Sequence, residues 1–377
     1  MRFKNQMNTA VTIVGGGLSG LLVAYRLAKR GIDFKLFEAN SRLGGRIVSI
    51  PNLGDGVYDR EGPAIDLGPS WFWPDQPRIA ALIQELGASE YVYSQTGSGN
   101  AVMEYRDGKI VSGPGGASMA GSYRLTGGMY HLIDRLLESI PAHAIVTKGL
   151  VTQIAVRTNS MVTAVTVNEE PYLVDSQEAV LALPPRLAAQ NMAFVPPLSR
   201  EYADTLTSVP TWMAGHAKFV AVYQEPFWKN NGFSGDGFSQ LGPLVEIHDA
   251  SPRTGGPYSL FGFVGVPATQ RKQVGAKLTN AAIEQLTRLF GEPASKPMSV
   301  HLKDWALDPL TAVELDHDSH GMHASSALDL TVIPSHKIVW AGSETSSVYN
   351  GYLEGALEAG ERAAALVISR VENAGDD

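Results

Sequence analysis

The sequence predicts an α/β fold whose main parallel-sheet domain is assembled from both ends of the chain. Three observations predict it. A strand–turn–helix unit with three spaced glycines opens at residues 11–20. A second short apolar strand, followed by a helix that starts after a glycine, occupies residues 338–363. The chain has 377 residues, too many for one ordinary core, so two intertwined domains are expected.

The elements follow in order. Val11, Thr12, Ile13 and Val14 form a β-branched apolar run, the pattern of a buried parallel strand. Gly15, Gly17 and Gly20 then give the spacing G-x-G-x-x-G. The first permits a tight turn, the second lets the backbone approach a pyrophosphate, and the third lets a helix pack closely on the strand. That helix is predicted over residues 19–30, with Leu21, Leu22, Tyr25, Leu27 and Ala28 at helical spacing and Gly31 as its stop. Residues 34–37 read as the next strand, and Glu38 stands at its end, 38 − 20 = 18 residues past the last glycine. This matches the ~20 of a Rossmann unit, in which the acid accepts hydrogen bonds from ribose hydroxyls. This unit alone does not separate FAD from NAD.

Arg42, Leu43, Gly44, Gly45 and Arg46 follow directly. Paired glycines let the backbone lie against a ligand, and the arginines are suited to neutralising phosphate charge. With this run the chain resembles the flavin-containing amine oxidase (monoamine oxidase-like) family, whose signature is an acid followed by R-x-G-G-R. The resemblance continues through Asp66, Leu67, Gly68, Pro69, Ser70 and Trp71, through residues 125–129 and 182–185, and through the C-terminal segment. It implies a glutathione-reductase-like Rossmann domain of the amine oxidase superfamily, intertwined with an α+β substrate domain on a mixed or antiparallel sheet. The implied bounds are 1–72, 125–200 and 335–377 for FAD, and 73–124 and 201–334 for substrate. Beyond the residues above, the implied cofactor contacts are Leu18, Ser19, Ala39, Gly68, Pro69, Ser70, Trp71, Gly342, Tyr352 and Leu353. Val151 matches the family valine whose backbone meets the adenine, with an ordinary strand residue as the alternative.

Residues 337–341 read as a strand, and Gly342 permits close backbone approach. The resemblance places Glu344 on the ribityl chain. After Gly351 a helix is predicted, with Leu353, Ala356, Leu357, Gly360, Ala364 and Val367 on one face and Glu354, Glu358, Glu361 and Arg362 on the other. Glu358 and Arg362 stand at i, i+4. A helix N-terminus carries about half a positive charge, and the resemblance aims this one at the flavin edge that becomes anionic on reduction.

Between the ends, residues 216–222 read as a strand with His216, Lys218, Val220 and Val222 on one face. A lysine among apolar strand residues needs a partner. The resemblance assigns Lys218 to a water beside flavin N5, where it assists reoxidation by oxygen. The alternative is an edge-strand lysine in solvent. Tyr352 is implied as one wall of an aromatic cage that orients a neutral amine, with core packing as the alternative. The region after Trp305 lacks the tyrosine of the opposite wall. Trp71, Phe72, Trp73 and Tyr349 are the aromatics available, each also a plausible packing residue. Arg78 is the one arginine considered for clamping a substrate carboxylate, and nothing in its surroundings singles it out. The run from Asp316 to His323 has metal-ligand spacing but reads better as a polar loop, so no metal site is expected.

Composition sets limits. The 38 acids against 30 bases, net charge −8, disfavour nucleic acid and anionic membrane as partners. No apolar run reaches the ~18–20 residues of a membrane span. No signal peptide or tail anchor is recognised, so a cytoplasmic protein is expected. Cysteine is absent, which rules out disulfides and a cysteinyl-flavin thioether; non-covalent FAD is expected, with a link through a histidine or tyrosine as the alternative. Gly and Ser crowd residues 96–99 and 113–121, read as loops, and residues 232–237 read as a hairpin or turn. Larger family members carry a helical segment between the positions of Tyr93 and Tyr123. Here residues 101–110 read only as a hairpin, so a more open site, or one roofed by a partner or second subunit, is expected.

The activity implied by the resemblance is oxidation of a small amine by hydride transfer to flavin N5, with oxygen reduced to hydrogen peroxide. Two other readings stand beside it. One is a flavin-dependent desaturase or isomerase of an apolar C–C bond, against which Lys218 and Tyr352 argue. The other is a flavoprotein with a non-oxidase or partner-dependent role.

Overall fold

The structure is a computed structural model that describes residues 5–51, 61–95, 97–114, 119–317 and 337–374. Two large sheets organise it. The first has eight strands, in the order Ala193–Val195, Gly149–Val156, Met161–Val167, Glu170–Leu181, Asn5–Val14, Phe34–Glu38 and Ile145–Thr147, with Ile338–Trp340 also on Glu170–Leu181. Asn5–Val14 runs parallel to both of its neighbours. Met161–Val167 pairs with Glu170–Leu181 only as far as Ser176, and Ile338–Trp340 takes over the same edge at Ala179–Leu181. In this way the last strand in the chain joins a sheet begun by the first.

The second sheet has seven strands, in the order Ser299–Asp304, Ala217–Tyr223, Tyr258–Val264, Leu244–Asp249, Phe233–Ser239, Asn100–Glu104 and Ile110–Pro114. It is antiparallel except where Phe233–Ser239 and Asn100–Glu104 run parallel. Alternation along Ala217–Tyr223 splits its side chains between two cores. Ala217, Phe219, Ala221 and Tyr223 pack under helix Ala276–Phe290, while Val220 and Val222 pack with Ile65 and Phe261.

The first helix is Leu18–Lys29, one residue off its predicted bounds at each end, and the first strand extends back to Asn5. Residues 101–110 form the expected hairpin, as strands Asn100–Glu104 and Ile110–Pro114, which join the seven-stranded sheet. Two expectations are corrected. Residues 233–237, read as a hairpin or turn because of their glycines, lie in an interior strand of that sheet. Glu354, placed on the polar face of the last helix, is fully buried. Its carboxylate accepts hydrogen bonds from the backbone N–H of Arg78 and Ile79, at the start of helix Pro77–Glu85. A negative charge there faces unpaired N–H groups and the positive end of the helix dipole, which is why it tolerates burial. Glu358 and Arg362 pair at 3.5 Å as their spacing predicts.

Candidate active site

A single cleft, with a cavity volume of about 370 Å³, borders both ends of the chain and the seven-stranded sheet. At one end Gly15, Gly17, Leu18, Ser19, Glu38, Arg42, Gly44 and Gly45 line it. Gly15 has φ +105°, and a Cβ there would stand 2.5 Å from the Ala182 carbonyl oxygen, so only glycine makes this turn. Helix Leu18–Lys29 starts at Gly17, with no side-chain cap and no acid in its first turn. Its N–H groups and dipole therefore face the cleft uncompensated by the chain, and an anion fits there. The Gly44–Gly45 loop lies directly on this turn, Gly44 N–H donating to Gly16 O at 2.8 Å. The Glu38 carboxylate accepts from Gly16 N–H at 2.8 Å and Asn40 N–H at 2.7 Å, which fixes it at the end of its strand.

The two terminal segments meet along the cleft. Ser19 Oγ donates to Ala341 O, and Gly360 of the last helix sits against Ser19. Arg46 Nη1 donates to Glu344 Oε1 at 2.6 Å and Nη2 to Ser343 Oγ at 2.9 Å. Glu344 is fully buried. Arg42 spends its guanidinium on the carbonyls of Leu43, Gly45 and Ile47. The arginines read as phosphate partners thus also fasten the loop and the seam.

Lys218 lies on an interior strand of the seven-stranded sheet, not an edge, and is 4% exposed. The ammonium donates to Ser70 Oγ at 2.7 Å and Gly68 O at 3.2 Å, and it stands 4.0 Å from the centroid of the Phe261 ring. Burial pushes its pKa down to about 7, Arg124 pushes the same way, and Asp66 opposes them. Asp66, itself buried, is pushed up by burial while Lys218 counteracts the shift. Lys218, Gly68, Pro69, Ser70 and Trp71 all border the cleft.

Gly342, Gly351, Tyr352 and Leu353 border it as well, so helix Leu353–Ala374 starts at its wall. Tyr352 stacks on Trp212, with ring centroids 5.7 Å apart and planes 27° apart. Trp71, Trp73, Phe263 and Trp305 add further aromatic surface. Phe72 is instead buried in the core beside Tyr123, and the Tyr349 hydroxyl reaches Asp75. Sequence reasoning missed Trp212 and Phe263. The only signal for Trp212 is a tryptophan six residues before Lys218; Phe263 becomes visible only as the register partner of Lys218.

Four of the expected cofactor residues do not line the cleft: Gly20, Ala39, Val151 and Glu344. Gly20 packs the helix on Gly15. Val151 is buried at 5% exposure in the core of the eight-stranded sheet. Arg78 is also absent from the lining and pairs with Glu354 and Glu361. Among the described residues no group of three His, Cys, Asp or Glu side chains is arranged to hold a metal. Asp316 and His317 are described, and the rest of that run, 318–323, lies outside the described residues. Among the described residues, 92–129 hold strands and turns but no helix, and Met119 reaches the cleft. No described helix is long and apolar enough to cross a membrane.

Comparisons with known proteins agree with this geometry. The family model for flavin containing amine oxidoreductases matches residues 101–368, and that for NAD(P)-binding Rossmann-like domains matches residues 13–86. The chain is 24% identical to a probable flavin-containing monoamine oxidase A of Dictyostelium discoideum, covering 96% of this chain and 98% of the relative. It is 24% identical to a putrescine oxidase of Kocuria rosea, covering 95% of each. The first alignment spans 462 positions, so at least 462 − 377 = 85 fall in gaps of this chain. The fold is shared with a solved wild-type putrescine oxidase bound to putrescine, at a TM-score of 0.79 and 19% identity, covering 97% of this chain and all of the other.

Proposed function

We propose that this chain, which belongs to the flavin containing amine oxidoreductase family, binds FAD along the cleft from Glu38 to Tyr352 and oxidises a small amine. It is an FAD-dependent oxidoreductase acting on amines. One observation carries the assignment of the site: the glycine turn, the buried Lys218 and Tyr352 border one continuous cleft. Bound there, FAD supplies the acceptor for the hydride that leaves the carbon next to the amine nitrogen. In this reading the turn Gly15–Gly17 and the start of helix Leu18–Lys29 hold the pyrophosphate, with Ser19 and Gly20 shaping that turn, and Glu38 receives ribose hydroxyls. Arg42, Gly44, Gly45 and Arg46 close over the phosphates and Gly342 meets the ribityl end, while Ala39, Val151 and Glu344, which stand behind the lining, support the adenosine and ribityl positions from the next layer.

Lys218 holds a water at Nζ and, with a pKa of about 7, can take or give a proton near neutrality during reoxidation by molecular oxygen. Tyr352 and its neighbours orient the amine as its neutral form. We assign residues 1–72, 125–200 and 335–377 to FAD, and 73–124 and 201–334 to substrate. In support, the eight-stranded sheet draws its strands only from the first set and the seven-stranded sheet only from the second. With no cysteine in the chain a cysteinyl-flavin link is excluded, and we infer non-covalent FAD, released on acid precipitation; flavin that stays with the precipitate would point to a histidyl or tyrosyl link.

The test is anaerobic addition of amines, putrescine among them because of the Kocuria relative, to the purified yellow protein. Bleaching of the flavin absorbance is expected with at least one amine, and peroxide should appear when oxygen is admitted. A protein that stays yellow across primary, secondary and diamine panels would sink the reading.

A further inference from the structure

Two rings border the cleft at Tyr352. Trp212 is stacked on Tyr352 at 5.7 Å, and both border the cleft. An aliphatic chain lying between two parallel rings needs two carbon contacts of ~3.5–4.0 Å, so about 7 Å or more between the rings. At 5.7 Å the two stacked rings leave no room for a substrate between them; Trp212 covers part of one face of Tyr352, and both side chains still border the cleft.

The local structure is built to keep Trp212 there. A Cβ on Gly351, at φ +81°, would collide with the Trp212 side chain. Arg46 Nη1 donates to Trp212 O at 3.3 Å. The next residue, Met213, holds a left-handed backbone at φ +60°, a strained state that persists where surrounding structure imposes it. The two carboxylates that border the cleft are already engaged. Glu38 holds backbone N–H groups, and Asp308 accepts from Lys303 Nζ at 2.7 Å. Among the described lining residues a second ammonium on a substrate would therefore find no uncommitted carboxylate and would have only ring faces to offset its desolvation.

Resting on the amine-oxidase reading above, we propose that Trp212 is a specificity-determining residue that selects amines with one basic nitrogen and an apolar body long enough to reach Trp212 as well as Tyr352. The test compares ethylamine with 2-phenylethylamine in the FAD-loaded protein and in Trp212→Ala and Trp212→Phe. In Trp212→Ala, kcat/KM for 2-phenylethylamine should fall about tenfold or more, chiefly through KM, as expected for lost apolar contact. Ethylamine should be little changed, and Trp212→Phe should restore most of the loss. A second readout needs no turnover: calorimetric binding of 2-phenylpropan-2-amine, which has no hydrogen on the carbon bearing nitrogen, should weaken by a similar factor in Trp212→Ala. Equal losses on both substrates, or unchanged binding of the inert amine, overturn the inference while leaving the amine-oxidase reading standing. A wild-type protein that oxidises no amine overturns both.

Discussion

The nucleotide end of the cleft and its Lys218 end are built from different materials. At the nucleotide end the functional atoms belong mostly to backbone: a glycine turn, a helix start, and a loop of paired glycines lying on that turn. At the other end they belong to side chains from four separate stretches of the chain, with Ser70, Phe261 and Tyr352 meeting Trp212 and Lys218. A backbone site is dictated by residues adjacent in sequence, so it tolerates little local change. A side-chain site depends on sheet register and burial, so its chemistry can be altered while the fold stands.

The largest expected effect falls on the seam. Arg46→Ala leaves Glu344 buried with only Ser343 beside it, and breaking a buried pair in this way costs about 3–5 kcal/mol. Urea unfolding of the FAD-free protein should show most of that loss. A loss confined to FAD affinity would instead make Arg46 a phosphate contact alone. Next comes Gly15→Ala, where the left-handed backbone and the crowded Ala182 carbonyl impose about 1–3 kcal/mol of strain. Here FAD affinity should fall together with stability, measured by flavin absorbance after gel filtration. Retention of flavin at wild-type affinity would break the view that this turn is fixed by its backbone.

The effect on stability at Lys218 depends on pH and is small only on the alkaline side. Its pKa is lowered from 10.5 to about 7 by burial. Between those values the unfolded chain holds a proton that the folded chain has released, so stability rises with pH across this window. Below it the full penalty of burying the charge applies. Lys218→Met should therefore gain most over wild type at the acid side and progressively less toward pH 10, while FAD stays bound and reoxidation by oxygen slows about tenfold. A stability difference independent of pH, or unchanged reoxidation, would separate Lys218 from the chemistry proposed for it.

What was readable in the sequence follows the same division. The turn at Gly15, the strand ending in Glu38 and the start of the last helix could be placed within a residue or two, because each is set by short-range periodicity and glycine position. Phe233–Ser239 was misread because its glycines imitate a turn, whereas Gly235 is there for the close approach of Asp249 from the neighbouring strand. Glu354 was misread because helical periodicity cannot show that a second helix will present its N-terminus to an acid on the expected polar face.

The sequence by itself determined the glycine turn, the acid at the end of the next strand and the short strand and helix near residue 340, since each is a local feature; that both ends serve one cofactor is what the family resemblance implies. Only the tertiary structure decided that Arg46 and Glu344 join the ends, that Lys218 is buried against Ser70 and Phe261, and that Trp212 stacks on Tyr352. Each of these is a contact between residues far apart in the chain. Burial and strand register, which no short window of sequence contains, give those contacts their strength.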